Sequence, residues 1–223
     1  SCVGNVPFKK VKRLADKYFG EIPRTVIPRT RKLFDQYSPE RELIHKNISQ
    51  AHCAIGATAY PIPDKKRLPF YMLINLLGGP GMNSRLNMAL REKYGFVYNV
   101  EASYHSFADT GLFAIFFGTE KKQVERSHKI IGKEFKLLRE KPLGVMQLHK
   151  AKEQLIGQLA MAEENNASLM LMLGKSILDM NKVDSLDEIF TRIRSISSSE
   201  LMEIANEMLA EDRLSYLTFL PQN

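Results

Sequence analysis

Residues 77–98 read LGGPGMNSRLNMALREKYGFVY, and they leave the chain little conformational choice. Leu77-Gly78-Gly79-Pro80-Gly81 cannot extend a helix, because Pro80 has no N–H to donate and the glycines favour turns. Asn83 or Ser84 is placed to cap a new helix. Leu86, Met88, Ala89 and Leu90 give that helix an apolar side, and Arg91 and Lys93 lie near its C-terminal end, where positive charge complements the dipole. Gly95 is the expected left-handed C′ residue, and Phe96-Val97-Tyr98 begins a strand. Arg91, on the last turn, is thereby brought towards Tyr98 at the strand entrance.

The rest of the chain reads as strands alternating with helices. Val11, Leu14, Ala15 and Tyr18 recur at helical spacing within 9–19, with Gly20 as the stop. Residues 21–40 hold Pro23, Pro28 and Pro39 among basic residues and read as a linker. Strands are expected at 41–48 and 50–60, a helix at 68–77, and a hairpin from Val97 to Thr119 turning at 108–111. Further helices are expected over 121–140, over 144–180 with a bend near Asn165-Asn166, over 185–195, and from a Ser198 or Ser199 cap to about Ala210. A last strand covers Leu214 to Leu220. This order implies an α+β fold, an antiparallel-rich sheet with helices packed on one face.

The motif resembles the C-terminal half-domains of the pitrilysin/insulinase/mitochondrial-processing-peptidase family of zinc peptidases. Leu77, Gly78, Gly79, Gly81, Met82, Ser84, Arg85, Leu86, Leu90, Arg91, Glu92, Gly95, Val97 and Tyr98 match the family pattern in one register, while Asn83 and Phe96 depart mildly from it. The likeness extends further. Residues 42–60 are similar to the strand pair that opens such a half, Asp109-Thr110-Gly111-Leu112-Phe113 to its hairpin turn, and 191–220 to its final helices and strand. Residues 1–21 resemble instead the closing strand and helix of an N-terminal half-domain. The resemblance thus implies a tail of one half-domain (1–21), a linker (22–40) and a C-terminal half-domain (41–223).

The family's zinc signature, H-x-x-E-H, is missing. His45, His52, His105, His128 and His149 include no pair one helical turn apart. His45 and His52, seven apart on expected strands, would face opposite ways along a continuous strand. No cofactor is therefore expected in this chain, and the resemblance puts zinc in a missing N-terminal half. No G-x-S-x-G, P-loop or dinucleotide fingerprint is present, and Cys53 beside His52 is only a neighbouring pair on alternating faces. Arg91 and Tyr98 remain. On the residues alone they read as a helix-end cation and a half-buried strand aromatic. The resemblance assigns them to catalysis: Tyr98 donating its phenol to the oxyanion or scissile carbonyl, Arg91 holding substrate carbonyl or carboxylate oxygens. Arg85 and Glu92 read as structural, and Glu163-Glu164 as a solvated helix face.

The implied partners are a peptide substrate, adding as a strand to a sheet edge, and the N-terminal half-domain or partner subunit that carries the metal. This chain alone is expected to be inactive. The alternative is a non-catalytic scaffold or core subunit of the same fold. The formal charge of +7 raises a third reading, nucleic-acid binding, but residues 1–41 hold ten Lys/Arg against four Asp/Glu and carry nearly all of that excess. No nucleic-acid partner is expected. No apolar run reaches the about 20 residues of a membrane span, and the compartment is left open between cytoplasm and periplasm. The two cysteines, Cys2 and Cys53, lie too far apart in sequence, and in too small a number, to suggest a disulfide framework.

Overall fold

The computed structural model describes residues 1–23, 34 and 36–222. Its organising element is β2 (Ala51–Ala59), in which Ala51, Cys53, Ile55 and Ala57 are buried and the intervening residues are not. That period of two marks a strand with one face on a core and one towards solvent. β4 (Gly111–Thr119) repeats the pattern with Phe113, Ile115 and Phe117 inward and Leu112 and Phe116 outward. With β1 (Arg41–Lys46), β3 (Val97–Ser106) and β5 (Ser215–Pro221) they form one sheet of order β1-β5-β2-β4-β3. Every pairing is antiparallel except β1 with β5, which is parallel.

Helices cover one face of this sheet. α2 (Arg67–Gly78) is buried almost throughout, and its Phe70 packs edge-on against Tyr60, Tyr104 and Phe113 at centroid distances of 5.6, 4.8 and 5.5 Å. α3 (Val124–Glu140), entered through a 3₁₀ turn at Lys121–Gln123, inserts Val124, Ile131, Phe135 and Leu138 into the core. α4 (Val145–Glu163) adds Leu155 and Ile156, and α7 (Ser198–Met208) adds Leu201, Ile204, Ala205 and Met208. α6 (Leu186–Ser195) starts at a Ser185/Glu188 capping box. The α+β architecture with helices on one sheet face is the one expected.

Details of the ends differ. The anticipated bend near 165 is a break, with Asn165 accepting hydrogen bonds from the Ala167 and Ser168 N–H groups to start α5 (Asn166–Met180). α7 is capped by Ser197, one residue before the expected Ser198, because Ser197 has Glu200 three residues on to complete a capping box. Gly20 ends α1 (Phe8–Phe19) in right-handed geometry, φ −61°, with its N–H on the Asp16 carbonyl. The end of the expected linker is anchored: Tyr37 Oη bonds to the Arg213 carbonyl at 3.0 Å and to Ser215 Oγ at 2.8 Å. Most of that linker, residues 24–33 and 35, lies outside the described residues. α1 and α5 bury no residue. Among the described residues no helix is long and apolar enough to cross a membrane.

Candidate active-site contribution of the glycine loop and strand 3

The glycine loop is shaped by close approach. α2 reaches the sheet so closely at Gly78 that a Cβ there would sit 2.7 Å from the Ala102 Cβ on β3. A Cβ on Gly79 would meet the Asn75 carbonyl oxygen at 2.6 Å. The loop is then tied to α4 by amide pairs, Asn75 Nδ2 to Gln158 Oε1 at 2.7 Å and Asn83 Nδ2 to Gln154 Oε1 at 2.9 Å. Asn83 therefore spends its amide on α4. Ser84 takes the start of the next helix, its carbonyl accepting the Met88 N–H at 2.9 Å and its hydroxyl accepting the Asn87 amide at 2.8 Å. Arg85 forms a half-buried ion pair with Glu134 of α3 at 2.8 Å, the structural role expected of it.

The helix after the loop is wound wider than anticipated: Asn87–Lys93 is a π-helical segment. Its end is closed by Gly95 N–H to Arg91 O and Phe96 N–H to Leu90 O, both 2.9 Å. Gly95 has φ +62°, the left-handed conformation expected of it. Thr119 Oγ1 then holds the Phe96 carbonyl at 2.7 Å, fixing the entry to β3. π-windings are uncommon and recur at functional sites.

β3 is an edge strand that pairs only with β4 among the described residues. Val97 faces Thr119 and Val100 faces Phe117, so Tyr98 and Asn99 together oppose Gly118. This is a β-bulge, two residues against one, which re-aims side chains and interrupts pairing. Its result is Tyr98 at 94% exposure, a phenol standing almost free of the protein. The half-buried strand aromatic is thus not what forms. Arg91 leaves the same turn, its side chain about one-third exposed and its Nε bonded to Glu92 Oε1 at 2.9 Å. Among the described residues that is the guanidinium's only hydrogen bond. Sequence reasoning found Arg91 and Tyr98 but not the bulge partners Asn99 and Gly118, nor Glu134, Gln154 and Gln158, which position the loop from helices far along the chain.

The histidines do not converge. His45 on β1 and His52 on β2 flank β5, opposite Leu220 and Phe219 respectively. Adjacent β5 residues face opposite ways, so the two imidazoles lie on opposite sides of the sheet. His128 is wedged between Phe117 and Tyr216, at 5.8 and 5.5 Å, and burial lowers its pKa. Among the described residues no group of three His, Cys, Asp or Glu is arranged to hold a metal ion, so the residues present do not fit zinc.

A family model described as "Peptidase M16 inactive domain" matches residues 1–155. The chain belongs to this family. The M16 inactive domain is 30% identical over 216 residues to an uncharacterized zinc protease of Streptomyces coelicolor, covering 94% of this chain and 47% of that protein. It is 29% identical over 188 residues to the mitochondrial-processing peptidase subunit alpha of Rattus norvegicus, covering 78% and 36% of the two chains. Its fold matches the crystal structure of a peptidase M16 inactive domain from Pseudomonas fluorescens with a TM-score of 0.87 at 19% identity, over 99% of this chain and 53% of the other. The chain spans about half the length, or less, of the curated relatives it matches.

Proposed function

We propose that this M16 inactive domain is the zinc-free, substrate-binding half of a zinc metalloendopeptidase, and that it completes an active site whose metal is held by another half-domain or subunit. The observation that carries this reading is Tyr98. A bulge on an open sheet edge presents its phenol at 94% exposure, beside the π-wound turn that carries Arg91. A large aromatic held out in this way gains nothing for the fold, and a partner half closing over it would use it.

In the assembled enzyme the Tyr98 hydroxyl donates a hydrogen bond to the oxygen on which negative charge develops, stabilising the tetrahedral intermediate more than the ground state. The free nitrogens of the Arg91 guanidinium orient substrate carbonyl or carboxylate oxygens. The neighbouring sheet edge is open for an extended peptide to pair with. Residues 1–21 belong to the adjoining half. α1 supports this, since it is an amphipathic helix that buries no residue and leaves Phe8, Tyr18 and Phe19 81%, 64% and 66% exposed.

A scaffold role is the second reading. It is favoured by the Arg91–Glu92 pair, which occupies one guanidinium nitrogen within this chain. The test is reconstitution with the zinc-bearing half. Tyr98→Phe should lower kcat by about 10²–10³-fold, the usual range for one oxyanion donor, with KM little changed. Turnover unaltered by Tyr98→Phe and by Arg91→Ala would leave the scaffold reading standing.

A further inference from the structure

α5 is apolar along most of its length, NASLMLMLGKSILDM, yet buries none of its residues. A helix of that composition normally lies inside a protein. Here its C-terminal half lines one side of a cavity of about 380 Å³ shared with α2, the far end of β3 and α6. The walls are Leu68 and Tyr71 of α2, Tyr104 and Phe107 at the end of the strand, and Met172 and Met180 of α5. That volume lies within the range of pockets that enclose a small ligand. The cavity is also remote from the proposed catalytic edge. His105, on its rim, lies seven residues beyond Tyr98, roughly 20 Å along an extended strand.

The charges around the cavity are unequal. Asp184 is saturated, one oxygen on Lys182 at 2.6 Å and the other on Arg192 at 2.5 Å. Asp179 faces its own Lys175 at 4.0 Å, and Asp64 accepts the Lys66 N–H at 2.7 Å. Glu207 is taken by Lys66 Nζ at 2.6 Å. Arg67 is left over. Among the described residues its guanidinium meets no carboxylate, and its one side-chain hydrogen-bond contact is Nη2 to the Met180 sulfur at 3.6 Å. It stands on the first residue of α2, whose first turn holds no acidic residue, and the nearby Asp64 carboxylate is engaged by the Lys66 N–H rather than by the guanidinium. A partly desolvated guanidinium on an apolar hollow is complementary to a carboxylate, which it binds through a two-pronged fork. Met180 is the flexible group such a ligand would displace.

We propose that this cavity binds the C-terminal end of an apolar peptide, its carboxylate on Arg67 and its last aromatic or aliphatic side chain beside α5. A peptide fits better than a simple fatty acid because His105, Ser106 and Ser176 line the same cavity. Those polar groups can bond peptide N–H and C=O groups, and an alkyl chain offers them nothing. The site is independent of Arg91 and Tyr98 and of any metal, so it stands or falls separately from the catalytic reading.

The test uses the 223-residue chain with ¹³C-methyl methionine, titrated with N-acetyl-Leu-Phe as the free acid, as its C-terminal amide, and with decanoate. The free acid should shift the Met172 and Met180 methyl signals saturably and bind about tenfold or more tightly than the amide, as one charge-assisted pair implies. Arg67→Gln should erase the acid–amide difference, Arg67→Lys should retain part of it, and Ser176→Trp should abolish binding by filling the cavity. Unshifted methionines would overturn the proposal, as would equal binding of acid and amide to the unaltered chain. Tighter binding of decanoate than of the peptide acid would overturn it in favour of a lipid-like ligand.

Discussion

Replacing Gly78 or Gly81 of the loop by alanine should separate two positions that look alike in sequence. At Gly78 the new methyl would lie 2.7 Å from the Ala102 Cβ and 3.0 Å from its backbone N, about 1 Å inside ordinary carbon contact. Neither neighbour can swing away, because Ala102 is mid-strand and paired with Ile115 of β4. α2 must therefore lift from the sheet, and overpacking of this kind costs about 1–3 kcal/mol. Alanine's better helix propensity returns less than about 1 kcal/mol of that. At Gly81 the methyl would also be close, 2.5 Å from Gln154 Nε2 and 2.6 Å from Asn83 Oδ1, but both are tips of flexible side chains. Their rearrangement forfeits one exposed hydrogen bond, so Gly81→Ala should stay within about 1 kcal/mol. The assay is thermal unfolding of each variant followed by circular dichroism. Gly78→Ala should lower the melting temperature by about 4–8 °C at 2 kcal/mol, on the scaling for a chain of this size. Pairing Gly78→Ala with Ala102→Gly should recover part of the loss, giving a coupling of about 1 kcal/mol. A neutral Gly78→Ala, or a Gly81→Ala equally damaging, would refute the close-approach reasoning.

Leu90 is fully buried in the π-wound segment, so Leu90→Ala should cost about 2–5 kcal/mol in urea unfolding. Cys53 is buried with its thiol pushed up to about 11 by desolvation, whereas Cys2 is exposed. Iodoacetamide at pH 8 should therefore label one site in the folded chain and two in urea, read by intact mass. Burial holds the His128 pKa below its unfolded value, so the unfolded chain binds the extra proton first as pH falls through about 6.5. Stability should drop below that pH, and His128→Phe should flatten the slope between pH 7 and 5 in parallel urea titrations.

Much of the framework was legible because local chemistry decides it. Gly95 adopts φ +62°, and β2, α2 and the β3–β4 hairpin begin and end within a residue of where local signals place them. What escaped depends on partners distant in sequence. The parallel pairing of β1 with β5 joins Arg41 to Tyr216, and no turn signal announces such a contact. The bulge at Tyr98-Asn99 depends on where Gly118 falls in the facing strand. The π-winding has no composition of its own, so its residues read as ordinary helix. Arg91 and Tyr98 were visible only through family likeness, since one cation and one aromatic seven residues apart carry no signal by themselves.

The strand order has a consequence in time. β5 lies between β1 and β2, so residues 215–221 fill the gap between two strands made some 160 residues earlier. At a synthesis rate of about 5–20 residues per second, that gap stays open for roughly ten seconds or longer. Among the described residues β1 has no other partner during this interval, and β2 has only β4 once residues 111–119 are made. The nascent half-domain thus exposes two sticky strand borders until its final segment emerges, a window in which a holding chaperone, or pairing with a neighbouring chain, competes directly with native closure.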